Sequence, residues 1–134
     1  MAKHVFRADE HQVDDVSGTP FAGLDVRTLI GTAQNGAELA HVGQTTYPAG
    51  RKGHEAHRHP NAEEILVVLA GRGHYQVDED VFDVSTGDVV FVPRNAVHAT
   101  TSSADEDLVT LWVLSGTGSL EAAGYEARVD DGRL

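Results

Sequence analysis

Hydrophobic residues occur along the chain in short runs that turn-forming residues separate. The runs at 65–69 and 89–92 are continuous and largely β-branched, and they are too short for buried helices. Segments rich in glycine, proline and aspartate, such as STGD and PRN, separate the runs. The spacing is typical of an all-β sandwich or barrel. The predicted strands cover residues 5–7, 24–29, 38–47, 65–69, 74–77, 81–84, 89–92, 97–101 and 108–114.

The same pattern predicts little helix. No segment between residues 38 and 114 has the periodicity of a long helix, and GTAQNGAE at 31–38 is predicted to be a loop. SLEAAG, near the C-terminus, predicts one short helix that ends at Gly124. Repeats and low-complexity linkers are absent from the sequence. We therefore expect a single domain over 1–134, with its core at 38–115, N-terminal strands within 1–37 and a tail at 116–134.

Composition narrows the classes of function. A chain of 134 residues suits one domain with its own core, and a net charge of −11 repels phosphate backbones and anionic lipid. Nucleic acid and membranes are therefore not expected partners. Cysteine is absent, which excludes disulfides and thiolate chemistry. The segment MAKHVFRADEHQVDDV lacks the apolar core of a signal peptide, and no apolar run reaches membrane-spanning length, so the expected location is the cytoplasm.

A group of polar residues precedes the apolar run at 65–69. His57 and His59 are two residues apart, so on a strand both side chains point to one face. Glu63 and Glu64 follow, and strand alternation places only one of these carboxylates on the inner face. A buried carboxylate needs a partner, because an unpaired buried charge is strongly destabilising. Two imidazoles that hold a divalent cation would provide that partner.

A third imidazole is available further along the chain. His98 follows the turn at Pro93–Asn95 and begins another predicted strand, which in a barrel can lie beside the first histidine pair. Three imidazole nitrogens and one carboxylate suit zinc, iron, nickel, copper or manganese, and contain too much nitrogen for calcium or magnesium. Four protein ligands leave coordination positions open on an octahedral ion, as catalytic sites require.

These residues resemble the two sequence motifs of the cupin superfamily. In the first motif His57, one residue and His59 precede Glu64, and Gly71 follows Glu64 after six residues, which selects Glu64 rather than Glu63. The second motif contains Gly87, then Pro93 after five residues, then His98; its closing position is Ser102. Asn95 replaces the usual turn glycine, which asparagine tolerates because it accepts positive φ. Ser102 replaces the usual asparagine, which is not a metal ligand.

The resemblance covers about residues 38–115 and implies several properties. The fold is expected to be a jelly-roll β-barrel. The metal ligands are expected to be His57, His59, Glu64 and His98, holding one divalent transition metal per chain, such as zinc, iron, nickel or manganese. A small-molecule substrate and a homodimer, with N-terminal strands packing across, are also implied.

Function within such a superfamily depends on the site rather than on the fold. The leading hypothesis is a metal-dependent enzyme that performs enolisation, cyclisation of the polyketide cyclase kind, or lyase or isomerase chemistry on a small oxygenated or aromatic metabolite. The alternatives are a dioxygenase that uses iron or nickel, a non-catalytic ligand-binding protein and a structural metal site. At most one of His41 and Gln44 can face the pocket. Candidate catalytic residues are His54, Tyr47, Tyr75 and Glu64, and candidate pocket residues are Phe82, Phe91, Trp112 and Leu114.

Overall fold

A computed structural model describes residues 3–128 of the chain. Within this range the chain forms ten strands, two short α-helices and one 3-10 turn at Ala8–Glu10. The helices are α1 (Thr32–Asn35) and α2 (Leu120–Ala123). The strands are β1 (Asp25–Ile30), β2 (Ala40–Tyr47), β3 (His57–Arg58), β4 (Glu63–Ala70), β5 (Arg72–Val77), β6 (Asp80–Ser85), β7 (Val89–Val92), β8 (His98–Ser102), β9 (Leu108–Ser115) and β10 (Glu126–Ala127).

Two antiparallel five-stranded sheets make up the fold, which confirms the predicted all-β jelly roll. The strand order is β1-β2-β9-β4-β7 in the first sheet and β10-β3-β8-β5-β6 in the second. Buried side chains from both sheets form one apolar cluster, with Leu66 and Val68 from the first and Tyr75 and Val84 from the second. No helix within residues 3–128 is long and apolar enough to span a membrane.

Strand β4 alternates between the core and solvent. Glu64, Leu66 and Val68 are buried, whereas Glu63 and Ile65 are exposed. This alternation confirms the predicted register, in which Glu64 is the inward carboxylate. Aligned inner positions on β2, β9 and β4 form two neighbouring rows, namely His41–Leu114–Glu64 and Gly43–Trp112–Leu66.

The glycines of the two motifs lie in turns with positive φ angles, as the motifs predict. Gly71 has a φ of +86° and lies so close to the Asp107 carbonyl that a Cβ there would overlap it. Gly87 has a φ of +95° and faces open space. Asn95 has a φ of +71°, so asparagine does occupy the left-handed position where the motif usually has glycine. Ser102 is fully buried.

The secondary structure before β2 and after β9 differs in part from the prediction. Residues 5–7 form no strand, and one helical turn, α1, interrupts the predicted loop at 31–38. The C-terminal helix is confirmed, because the Ser119 side chain accepts a hydrogen bond from the Ala122 amide at the start of α2 and Gly124 follows its end. Of the predicted tail, residues 129–134 lie outside the described range.

Candidate metal centre and its pocket

Three histidines converge at one end of the second sheet. His57 on β3 pairs in register with His98 on β8, and His59 follows β3 directly. Their ring centroids are 4.5 to 5.1 Å apart. One nitrogen of each ring lies within 4.8 Å of the corresponding nitrogens of the other two. All three side chains are buried, so the structure brings together the histidines that the motif spacing selects.

Backbone carbonyls hold all three rings by the same nitrogen. In each ring Nδ1 can donate to a carbonyl oxygen, at 2.9 Å from His57 to Glu55, 2.7 Å from His59 to Gly124 and 3.1 Å from His98 to Ala96. A hydrogen on Nδ1 leaves the lone pair on Nε2 free in a neutral imidazole. Such carbonyl contacts fix the tautomer and orientation of metal-binding histidines.

Glu64 completes the donor set. Its Oε2 lies 2.8 Å from His98 Nε2 and 3.7 Å from His59 Nε2. Oε2 of Glu64 and Nε2 of His98 are nevertheless both buried without a hydrogen bond of acceptable geometry among the described residues. Buried polar atoms without partners are rare and destabilising. A cation between these two atoms would satisfy both, so the donor set fits a transition metal.

Burial and mutual contacts shift the pKa values of the side chains in this cluster. Burial lowers the pKa of His57 to about 2, helped by His54 and His98, and burial also lowers the pKa of His59. Burial alone would raise the pKa of Glu64 and lower that of His98. Their mutual contact outweighs burial, so the pKa of Glu64 falls and the pKa of His98 rises. The contact between Glu64 and His98 therefore favours the charged form of each group.

His54 lies beside the histidine cluster but is not part of it. Its ring centroid is 4.7 Å from that of His57. Its Nδ1 can donate to the Glu55 carbonyl at 2.8 Å, and its Nε2 can accept from the Thr100 hydroxyl at 3.3 Å. Burial lowers the pKa of His54 to about 4, so the ring is neutral near pH 7. This arrangement suits a hydrogen-bonding role better than a fifth ligand position.

The two candidate tyrosines lie in different surroundings. Tyr47 is buried, lines the pocket and has its side chain beside Thr100 and Thr110. Burial raises the pKa of Tyr47 well above its usual value, so its phenol stays protonated. Tyr75 belongs to the apolar core and does not line the pocket. Tyr47 is therefore the better placed of the two to donate a proton.

An open cavity of about 470 Å³, lined mostly by apolar atoms, extends from the proposed metal ligands. Trp112 and Leu114 line it, as predicted. The prediction was wrong for Phe82 and Phe91, which are 48% and 56% exposed and do not line this cavity. They lie on β6 and β7, the edge strands of the two sheets, and Phe91 points to the outer face beside Ile65.

Two aromatic residues of this wall carry no motif signal. Phe21 meets the His57 and Tyr125 rings edge-on, at centroid distances of 5.9 and 6.0 Å. Tyr125 stacks on His57 at 4.4 Å, and its hydroxyl donates to Glu55 Oε1 at 2.6 Å. Burial raises the pKa of Tyr125 above its usual value. In the sequence, the one local indication of a turn toward the pocket is that Tyr125 follows Gly124, the predicted end of the helix.

His41 and Ser102 both have defined positions beside the pocket and its loops. His41 is buried and lines the cavity, whereas Gln44 does not, so His41 is the residue of this pair that faces the pocket. The Ser102 hydroxyl donates to the Pro48 carbonyl at 2.7 Å and accepts from the Lys52 amide at 2.8 Å. Ser102 therefore fixes the loop that leads to His54.

Residues 43–114 match the sequence model of the cupin domain family. The chain is a cupin. The match covers more than half of the 134 residues and includes all four proposed ligands. The N-terminal and C-terminal segments that carry Phe21 and Tyr125 lie outside it.

Two curated proteins match part of this chain in sequence. An uncharacterized protein of Methanocaldococcus jannaschii is 38% identical over 42 residues, which are 31% of this chain and 34% of the relative. Protein SchB of Streptomyces halstedii is 29% identical over 92 residues, 69% of this chain and 66% of that protein. The matched part thus spans about a third of the first relative and just under two thirds of the second.

Solved structures share the fold at low identity. A double-stranded β-helix protein from Klebsiella pneumoniae has a TM-score of 0.72 at 19% identity, over 93% of this chain and 96% of its own. The polyketide cyclase RemF from Streptomyces resistomycificus has a TM-score of 0.72 at 20% identity, over 86% and 80%. A predicted oxalate decarboxylase from Thermotoga maritima also gives 0.72 at 20%, over 84% and 99%. At such identities the likeness establishes the fold alone.

Proposed function

We propose that this cupin is a metal-dependent enzyme that performs enolisation, cyclisation or lyase and isomerase chemistry on a small, oxygenated aromatic molecule. One observation carries the proposal: the four donor residues lie in the wall of an open, mainly apolar cavity of about 470 Å³. Structural metal sites are usually closed by protein ligands, whereas catalytic sites keep positions open toward a pocket. A cavity of this volume suits a small organic ligand.

Each group of residues has a distinct role in this proposal. His57, His59, His98 and Glu64 would hold a divalent metal, which when bound supplies a Lewis acid to a substrate oxygen. The apolar wall excludes water from the bound substrate and strengthens electrostatic interactions at the site.

Proton transfer is assigned to two residues beside the proposed ligands. His54 is neutral near pH 7 because burial lowers its pKa to about 4, so it is a hydrogen-bond acceptor and a weak base. Tyr47 keeps its phenol proton because burial raises its pKa, so it is a donor. Enolisation needs a base at the carbon next to the carbonyl, which loses a proton, and an acid at the carbonyl oxygen, which gains negative charge. We assign His54 to the first role and Tyr47 to the second.

The polyketide cyclase among the structural neighbours supports a test on fused-ring ketones. Purified protein should be stripped of metal, reloaded with zinc, iron, nickel or manganese in turn, and incubated in D2O with 2-tetralone. We expect metal-dependent exchange of the protons next to the carbonyl, measured by NMR. Oxygen uptake with iron or nickel would instead support a dioxygenase. Tight binding of such molecules without turnover on a broad panel would support a binding protein.

Matched variants identify the ligands. His98→Ala should lose bound metal and proton exchange together, because it removes one of four donors. Glu63→Gln should retain both, because Glu63 lies on the exposed face of β4 while Glu64 is buried. If Glu63→Gln loses the metal and Glu64→Gln does not, the assignment of the carboxylate ligand is wrong.

A further inference from the structure

One inner row of the first sheet joins the proposed metal site to a second polar residue. Glu64 on β4, Leu114 on β9 and His41 on β2 are aligned on neighbouring strands. Neighbouring strands are about 4.8 Å apart, so His41 stands about 10 Å across the sheet from Glu64. All three residues line the same cavity. This row of the cavity wall is therefore polar at both ends and apolar in the middle.

His41 is a buried histidine that lies near the Ile30 backbone and lines the cavity. It is 9% exposed, and its Nδ1 has no hydrogen bond among the described residues. The nearby carboxylate oxygen Oδ2 of Asp14 is already used, because it accepts from the amide and the hydroxyl of Thr28 at 2.9 and 2.6 Å. Burial lowers the pKa of His41, so the ring is a neutral imidazole with one donor and one acceptor.

Trp112 gives the space between the two ends a flat wall. The indole lies against Gly43, where a Cβ atom would overlap the ring. Its Nε1 donates to the Thr45 hydroxyl at 2.9 Å, which fixes the ring orientation. The ring centroid of Trp112 is 5.1 Å from that of His41. Flat aromatic walls bind planar rings by stacking and by excluding water.

We propose that His41 binds the end of the substrate farthest from the metal ligands, and that the substrate is a planar fused-ring molecule with an oxygen at each end. One oxygen lies at the proposed metal ligands, the rings pass over Leu114 beside Trp112, and the second oxygen hydrogen-bonds to His41. The assignment rests on the proposed function, because it takes the first oxygen to be bound at the metal site.

The test compares two probes that differ by one hydroxyl group. Zinc-loaded protein is titrated by calorimetry with 2,6-dihydroxynaphthalene, which has an oxygen at each end, and with 2-naphthol, which has one. We expect the wild-type protein to bind the diol about threefold to tenfold more tightly, the effect of one neutral hydrogen bond. His41→Leu should remove that preference, and His41→Gln, which restores a side-chain donor and acceptor, should recover part of it.

Gln44→Leu is the matched control, because Gln44 is on the same strand and does not line the cavity. It should keep the preference for the diol, and all variants should keep their zinc. Equal preference in wild type and His41→Leu overturns the inference, as does a wild-type protein that binds neither probe. If zinc removal changes the binding of neither probe while His41 still sets the preference, the proposed function fails and the role of His41 stands.

Discussion

The contact between Gly43 and Trp112 gives a prediction that isolates one packing interaction. Gly43 on β2 is in register with Trp112 on β9, and the indole occupies the space that a Cβ at position 43 would need. Gly43→Ala therefore forces the ring away from the strand. The backbone at position 43 has an ordinary negative or extended φ, so alanine introduces no conformational strain of its own.

The size of the effect follows from two contributions. Overpacking a filled site costs about 1–3 kcal/mol. Moving the ring also removes the hydrogen bond from Trp112 Nε1 to Thr45, which contributes about 1 kcal/mol. The free energy of unfolding should fall by about 2–4 kcal/mol. For a chain of this length that lowers Tm by about 8–16 °C.

Thermal melts measure the loss of stability, and tryptophan emission reports the ring itself, because Trp112 is the only tryptophan of the chain. In a Trp112→Leu background the same Gly43→Ala change should cost less than about 1 kcal/mol, which a double-mutant cycle detects. Without a clash, alanine would restrict the unfolded chain and raise stability by about 0.4–1 kcal/mol. An unchanged or higher Tm would therefore refute the reasoning.

Three further predictions concern the metal site and the turns. Chelation should lower Tm by several degrees without unfolding the protein at room temperature, since a metal at a hundredfold excess over its Kd contributes about 2.7 kcal/mol; an unchanged Tm after verified metal loss would contradict this coupling. Burial lowers the pKa of His98, but contact with Glu64 outweighs it and raises that pKa above its usual value, so protons compete with metal for Nε2. Zinc affinity should fall as pH drops through this raised pKa, starting above the usual histidine value of about 6.5, and dye-competition titrations would show it; a constant affinity would count against the pairing. Gly71→Val should reduce soluble yield and Tm more than Gly87→Val, because both positions need positive φ but only at Gly71 would a side chain meet the Asp107 carbonyl.

The sequence predicted the positions closest to the proposed metal, because local rules determine them. Strand alternation identified Glu64 rather than Glu63 as the inward residue, and the motif spacing identified His98. The exposure of Phe82 and Phe91 was not predictable in this way. Their apolar runs look like those of central strands, but sheet order puts them on edges, and sheet order depends on contacts distant in sequence.

The residues that the sequence did not reveal belong to the chain ends. Residues 5–7 alternate like a strand, yet they find no partner strand within the described range. Tyr125 reaches the pocket because the C-terminal segment bonds to a residue distant in sequence, for example through the hydrogen bond from the Asn61 amide, within the first motif, to the Ala123 carbonyl at 2.9 Å. No short-range periodicity encodes such a path.

Part of the pocket wall comes from segments outside the matched cupin region, and this determines where substitutions can change ligand specificity. Phe21 and Tyr125 belong to flanking segments outside residues 43–114, whereas the four proposed ligands lie within them. Substitutions at these two aromatic positions change the cavity wall without removing a proposed metal ligand. A new specificity is therefore reachable through short stretches of sequence at either end, by mutation or by grafting from a related chain. One restriction is Gly124, whose carbonyl orients His59, so a graft at the C-terminal end has to keep the backbone path at this point.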